Sequence, residues 1–241
     1  MHRIHWQGTW PDVGQMLAID GDEGSHALRA KRLRAGERVE VFDGAGRVAT
    51  CSVLDSDPGR RTKTLDLRVL ETAQREPASP RVEVFAATPK GGRVDEMVEG
   101  LSEAGAASWT PLVTARTVVE PSPAKLDRLR RIAVESAKQC GRAWVLEIGR
   151  ECRLADALAG AAGSALILAD GAAPPYRPAS GAAVVRLLVG PEGGWTDGER
   201  HDALRAGAVA AGFGPNAMRI ETAAVVAAAV VLDRHRDAAR G

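Results

Sequence analysis

Apolar and polar positions alternate with period two in the first third of the chain. Val39 and Val41 flank Glu40, and the run Arg47 to Leu54 follows across Asp43-Gly44-Ala45-Gly46, a hairpin signal. From Thr64 to Leu70 the same alternation puts Leu65, Leu67 and Val69 on one face. These runs predict a small antiparallel sheet or barrel. Residues 71–81 are polar and carry two prolines, a linker composition.

Beyond them the pattern switches to short apolar runs alternating with amphipathic stretches. Val82 to Ala87, Ser108 to Val113, Ala165 to Ala169, Val184 to Val189 and Val209 to Phe213 read as strands. Arg93 to Ala104 reads as a helix stopped by Gly105. Ser122-Pro123 opens another helix that runs to about Gln139, with proline at its first position. Thr196-x-x-Glu199 is a capping box. A final helix, Glu221 to about His235, is apolar all round from Ala223 to Leu232, so it must be buried on several sides or form a subunit interface. Strand–helix alternation predicts an α/β domain with a parallel sheet. The expected division is a domain over 1–72, a linker over 73–81 and a second domain over 82–241.

Composition adds exclusions. Of 241 residues, 45% are hydrophobic and only 4% aromatic, so the core must be aliphatic. The net charge is +1, so only local clusters speak for a polyanionic partner. Three cysteines without a C-x-x-C pair argue against a disulfide framework and a zinc site, and no metal is expected. Met1 to Trp6 lacks an apolar signal core, and Ala223 to Leu232 is too short to span a bilayer. The expectation is a cytoplasmic protein with no membrane partner.

Two strand-end loops are candidates for chemistry. Leu188-Val189-Gly190-Pro191-Glu192-Gly193-Gly194-Trp195 and Phe213-Gly214-Pro215-Asn216-Ala217-Met218-Arg219 each follow an apolar strand and precede a helix. Ligands of open α/β sheets sit beyond the carboxyl ends of strands, and glycines let backbone approach them. Neither loop has a lysine, and Glu192 would repel phosphate, so a nucleoside-triphosphate site does not fit. Each loop alone is equally an ordinary tight turn; two in one domain favour a pocket. Basic residues cluster at Arg29, Lys31, Arg32 and Arg34, at Lys90 and Arg93, and from Lys125 to Arg142, where Arg128 and Arg131 stand out. Such clusters either neutralise phosphates or form a solvated face.

The motifs resemble the bacterial 16S rRNA (uracil-N3)-methyltransferases of the SPOUT class. The likeness runs through His26-Ala27-Leu28, Lys31 to Arg34 and Val41 to Gly44, then Thr88 to Gly91, Glu103 to Gly105, Thr110 to Leu112 and Glu135 to Arg142. It is most specific at Leu188 to Gly194, then at Gly214-Pro215 with Arg219 and Glu221 to Ala223. The resemblance implies an amino-terminal PUA-like β-barrel and a carboxyl-terminal trefoil-knotted domain. It implies S-adenosylmethionine as cofactor, 16S rRNA or the small ribosomal subunit as partner, and a homodimer through the last helix. The cofactor would meet Leu168, Ala169, Val189, Gly190, Pro191, Glu192, Gly193, Gly194, Phe213, Gly214, Pro215, Met218 and Arg219. Arg219 and Glu192 would be catalytic, the first beside the uracil oxygens, the second as proton acceptor. Arg29, Lys31, Arg32, Arg34, Lys90, Arg93, Arg128 and Arg131 would hold RNA. The chain departs from the family pattern at Asn216, Met218 and Ile220, where a basic residue, leucine and threonine are usual.

Overall fold

A computed structural model describes residues 1–21, 24, 33–55, 64–178 and 181–238. They fall into two compact units, Met1–Pro77 with Ala137–Val145, and Ala78–Ser136 with Leu146–Gly241.

The first unit is a five-stranded sheet. Its strands are β1 (His2–His5), β2 (Met16–Ile19), β3 (Arg38–Phe42), β4 (Arg47–Asp55) and β5 (Leu65–Gln74), in the order β1-β3-β4-β5-β2. The hairpin forms where the alternation places it, with Phe42 opposite Val48. Asp43 closes its turn by accepting the Ala45 and Arg47 N–H groups and pairing with the Arg47 guanidinium at 2.6 Å. The sheet is not purely antiparallel, because β1 runs parallel to β3. β5 also runs on to Gln74, within the stretch read as linker, and stays paired to Arg47. The alternating residues Val39, Val41, Leu65, Leu67 and Val69 make its core with Ile4, Ile19 and Val53.

Segment 137–145 joins this unit. Arg3, 8% exposed, donates to the Ala137 and Arg142 carbonyls at 2.6 and 2.9 Å, pairs with Glu40 and lies over the Phe42 ring. Phe42, Val48, Ala137 and Ala143 pack together around those bonds.

In the second unit the sheet order is β12-β10-β11-β6-β7-β8, with β9 beside β7. Here β6 is Arg81–Ala86, β7 Ser108–Val113, β8 Glu147–Ile148, β9 Cys152–Arg153, β10 Ala165–Ala169, β11 Val184–Val189 and β12 Val209–Ala211. Every pairing is parallel. The helices are α1 (Arg93–Ala104), α2 (Pro123–Cys140), α3 (Leu154–Ala159), α4 (Asp197–Arg205) and α5 (Ile220–Ala238). The last four residues of α2 are those grouped with the first unit.

Helix α5 buries Ile220, Ala224, Ala227, Ala228 and Val231, a stripe with helical spacing. Gly100 of α1 admits the close approach, since a Cβ there would come within 2.8 Å of Val225. The α5 residues Val226 and Val230 stay half-buried and Ala229 exposed, so the all-round apolar character exceeds what this unit covers.

Candidate functional site

Strands β12, β10 and β11 are neighbours, and their registers align Ala169 with Ala211 and Leu168 with Leu188. Their carboxyl ends therefore open side by side. Between them lies a cavity of about 380 Å³, lined from all three strand ends. That volume lies in the range typical of small-molecule sites.

The glycine-rich loop forms one wall. It turns tightly, the Gly194 N–H reaching the Pro191 carbonyl at 2.8 Å, and Gly194 adopts φ +70°, which a side chain would disfavour. Glu192 sits exposed in this turn and lines the cavity. Trp195 lies under the loop. A Cβ on Gly190 would come within 3.0 Å of its indole, whose N–H donates to the Ala169 carbonyl at 3.0 Å. The indole thus ties the end of β10 to the loop after β11. The capping box forms as its sequence requires: Thr196 accepts the Glu199 N–H and Glu199 accepts the Thr196 N–H. Burial opposes ionisation of Glu199, but hydrogen bonds from the Thr196 and Ala115 backbone and from the Thr196 hydroxyl, with the Arg116 charge, hold its carboxyl below the ordinary range.

The second wall is the loop after β12. Gly212 donates to the Pro174 carbonyl and accepts from the Tyr176 N–H, which fixes the loop against residues 174–176. Phe213 lines the cavity and stacks on Tyr176 at 5.4 Å, and the Tyr176 hydroxyl meets His235 Nε2 at 2.9 Å. Burial pushes the Tyr176 hydroxyl up and His235 down from their usual values. The Arg219 carbonyl accepts the Ala223 N–H, so Arg219 stands at the start of α5.

Of the residues expected at the cofactor, Ala169, Val189, Gly190, Pro191, Glu192, Gly194, Phe213, Gly214 and Met218 line the cavity. Leu168 instead points into the core, fully buried. The Gly193 carbonyl is taken by Arg116 at 2.6 Å, and Gly193 does not line the cavity. Pro215 and Arg219 are exposed and lie outside the lining. Among the described residues the Arg219 side chain has no hydrogen-bond or ion-pair partner.

Sequence reasoning missed Asp170, Asp197 and Arg200, all at the cavity, and it left Trp195 and Ile220, named in or beside the two loops, without a place in the cofactor lining. Asp170 accepts the Ala172 N–H at 2.9 Å and forms an ion pair with Arg200. The signal available for Asp170 was its position one residue beyond an apolar strand. Ile220, where the resemblance leads one to expect threonine, is 2% exposed, so its apolar side chain serves the helix core as well as the cavity.

The basic residues separate. Arg29, Lys31 and Arg32 lie outside the described residues. Arg34, Lys90 and Arg131 are exposed. Arg93 faces Glu221 at 3.7 Å, and Arg128 holds Asp95 at 2.5 Å, so both charges are already partnered. Among the described residues no three His, Cys, Asp or Glu side chains group as a metal site, and no helix is long and apolar enough to cross a membrane.

Comparison with known proteins agrees with this geometry. A family model for an RNA methyltransferase domain matches residues 76–232, and one for an RNA methyltransferase PUA domain matches 19–61. The chain is 34% identical to ribosomal RNA small subunit methyltransferase E of Mycobacterium tuberculosis, over 95% of this chain and 90% of that one. Among solved structures it is similar to ribosomal RNA small subunit methyltransferase E of Neisseria gonorrhoeae bound to S-adenosyl methionine, with 26% identity, TM-score 0.83, and coverage of 95% of this chain and 96% of that chain. A Legionella pneumophila structure with bound SAM gives 26% identity and TM-score 0.81, covering 96% of each chain.

Proposed function

This chain belongs to the RNA methyltransferase family that includes ribosomal RNA small subunit methyltransferase E, and from that premise we propose that it methylates 16S rRNA at N3 of a decoding-region uridine, with S-adenosylmethionine as donor. The carrying observation is the cavity where β12, β10 and β11 end together between two glycine loops.

The residues present fit this donor. Val189, Phe213, Met218 and Ile220 offer an apolar floor, Gly190 and Gly214 let backbone approach, and the carboxylates of Glu192 and Asp197 suit a cationic ligand, while Asp170 is held by Arg200. When bound, the donor supplies a methyl group on a sulfonium, already a good leaving group, so the protein's share is positioning and electrostatics.

Uridine N3 carries a weakly acidic proton that must leave. Glu192, exposed on the cavity wall, is the proposed acceptor. Arg219, exposed at the start of α5 with its guanidinium unengaged among the described residues, is the proposed cation for the charge developing on the uracil oxygens. N3 is hidden in a base pair, so the target base must be unpaired or extruded. Arg34, Lys90 and Arg131 are exposed cations able to meet phosphates. A homodimer through α5 is part of the same reading, supported by the apolar residues Val226, Ala229 and Val230 that the unit leaves uncovered. So is the trefoil knot, supported by the parallel strand order and by residues 174–176 lying against Gly212.

The test is mass-spectrometric mapping of rRNA from cells with and without this protein. The expected result is a 3-methyluridine on 16S rRNA that disappears without it. An unchanged methyluridine map would overturn the proposal.

A further inference from the structure

The glycine loop has few internal restraints. Its one internal backbone bond, Gly194 to Pro191, leaves the Gly193 and Trp195 carbonyls to find partners elsewhere. Both are met by one side chain from a distant strand end. Arg116, in the loop after β7, donates through Nη1 to the Gly193 carbonyl at 2.6 Å and reaches the Trp195 carbonyl at 3.5 Å. Its aliphatic stem runs along Gly193, where an added Cβ would meet the Arg116 Cδ at 3.2 Å. A second contact makes the attachment two-point. The Ala115 N–H donates to Glu199 Oε1 at 2.7 Å, while Glu199 Oε2 holds the Thr196 N–H at 2.9 Å. The loop after β7 is thus clasped to both ends of the segment Gly193–Glu199, although β6 separates β7 from β11 in the sheet.

The arginine is exposed and shares no core, so this reach across a strand contributes little to burial. Its contacts end on the backbone of the turn that carries Glu192 and lines the cavity. Two adjacent glycines sample many conformations when unrestrained, and a charge-assisted bond to the Gly193 carbonyl selects one.

We propose that Arg116 is a positioning residue: it fixes the Pro191–Gly194 turn in the shape that receives the methyl donor and sets Glu192 over it. The inference rests on the methyl-transfer reading above.

The experiment compares wild-type protein with Arg116→Ala and Arg116→Lys by calorimetric titration of S-adenosylmethionine, steady-state methylation of rRNA and thermal melting. In Arg116→Ala, donor Kd and donor KM should rise about tenfold, equivalent to about 1.4 kcal/mol. The KM for RNA should stay within about twofold, and melting should move little, as for surface substitutions generally. Lysine, which can still reach a carbonyl as a point charge, should restore donor Kd to within about threefold of wild type. Donor binding equal to wild type in both variants overturns the positioning role. So does a changed RNA KM and salt dependence with donor Kd unchanged, which would make Arg116 a phosphate contact. A parallel fall of melting temperature and donor binding in both variants also overturns it, marking general stability instead. Failure of the wild-type protein to bind the donor would overturn the methyl-transfer reading itself, and this inference with it.

Discussion

Trp195 offers the sharpest separation of packing from hydrogen bonding at the cavity. Its indole is half-buried against the cluster of Phe85, Leu112, Leu168 and Leu188, and its N–H makes one bond, to Ala169. Truncating a fully buried aromatic to alanine costs about 3–5 kcal/mol, so a half-buried ring should cost about 2. Loss of the hydrogen bond adds about 1 kcal/mol. Trp195→Ala should therefore destabilise by about 3 kcal/mol, lowering the melting temperature by about 6–12 °C at about 2–4 °C per kcal/mol. Trp195→Phe keeps most of the ring contact and loses the Ala169 bond, so its drop should be about 2–4 °C. The same order should hold for S-adenosylmethionine affinity measured by calorimetry below both transitions. Alanine unties β10 from the glycine loop and should weaken binding about tenfold, phenylalanine by no more than about threefold. Differential scanning calorimetry supplies the stability values. Equal melting temperatures in the two variants would refute the packing share, and wild-type donor affinity in Trp195→Ala would refute the claim that this tie shapes the cavity.

Arg219→Ala should lower methylation by about a hundredfold or more while melting stays within about 1–2 °C, because the exposed side chain bonds nothing in the described fold; wild-type turnover would remove it from the mechanism. Arg34→Glu should weaken RNA binding and flatten the logarithmic salt dependence by about one unit of slope, read by filter binding across a salt series. Glu199 has a folded pKa below its ordinary 4.5, so its contribution is present above 4.5 and lost as acid carries the pH down through the lower folded value. Glu199→Gln should accordingly melt lower than wild type near neutrality, with the gap narrowing as the pH falls below 4.5; a constant gap would disprove the linkage.

Local rules made parts of this protein legible. Period-two alternation located β3, β4 and the buried face of β5, because strand side chains must alternate between faces. Gly105 stops α1 in the left-handed conformation that glycine permits, and Thr196 with Glu199 writes its own cap within four residues. The two glycine loops were visible because loops at the carboxyl ends of parallel strands are where such sheets bind ligands. The family motifs at Leu188 to Gly194 and at Arg219 to Ala223 carried the chemistry further than composition could.

Other features depend on which strands become neighbours, and no window of sequence contains that. Arg3 reaches the Ala137 carbonyl 134 residues away, drawing the end of α2 into the first unit. β1 is too short to announce itself and is recognised by its parallel partner β3. Arg116 meets Gly193 across 77 residues, and Trp195 meets Ala169 only because β10 and β11 lie side by side. Backbone periodicity is fixed by geometry within one turn or one pleat, so the chain alone determines its longer, patterned elements. A carbonyl's partner is chosen by the sheet order that brings two loops together, so tertiary structure alone decided how the cavity is held.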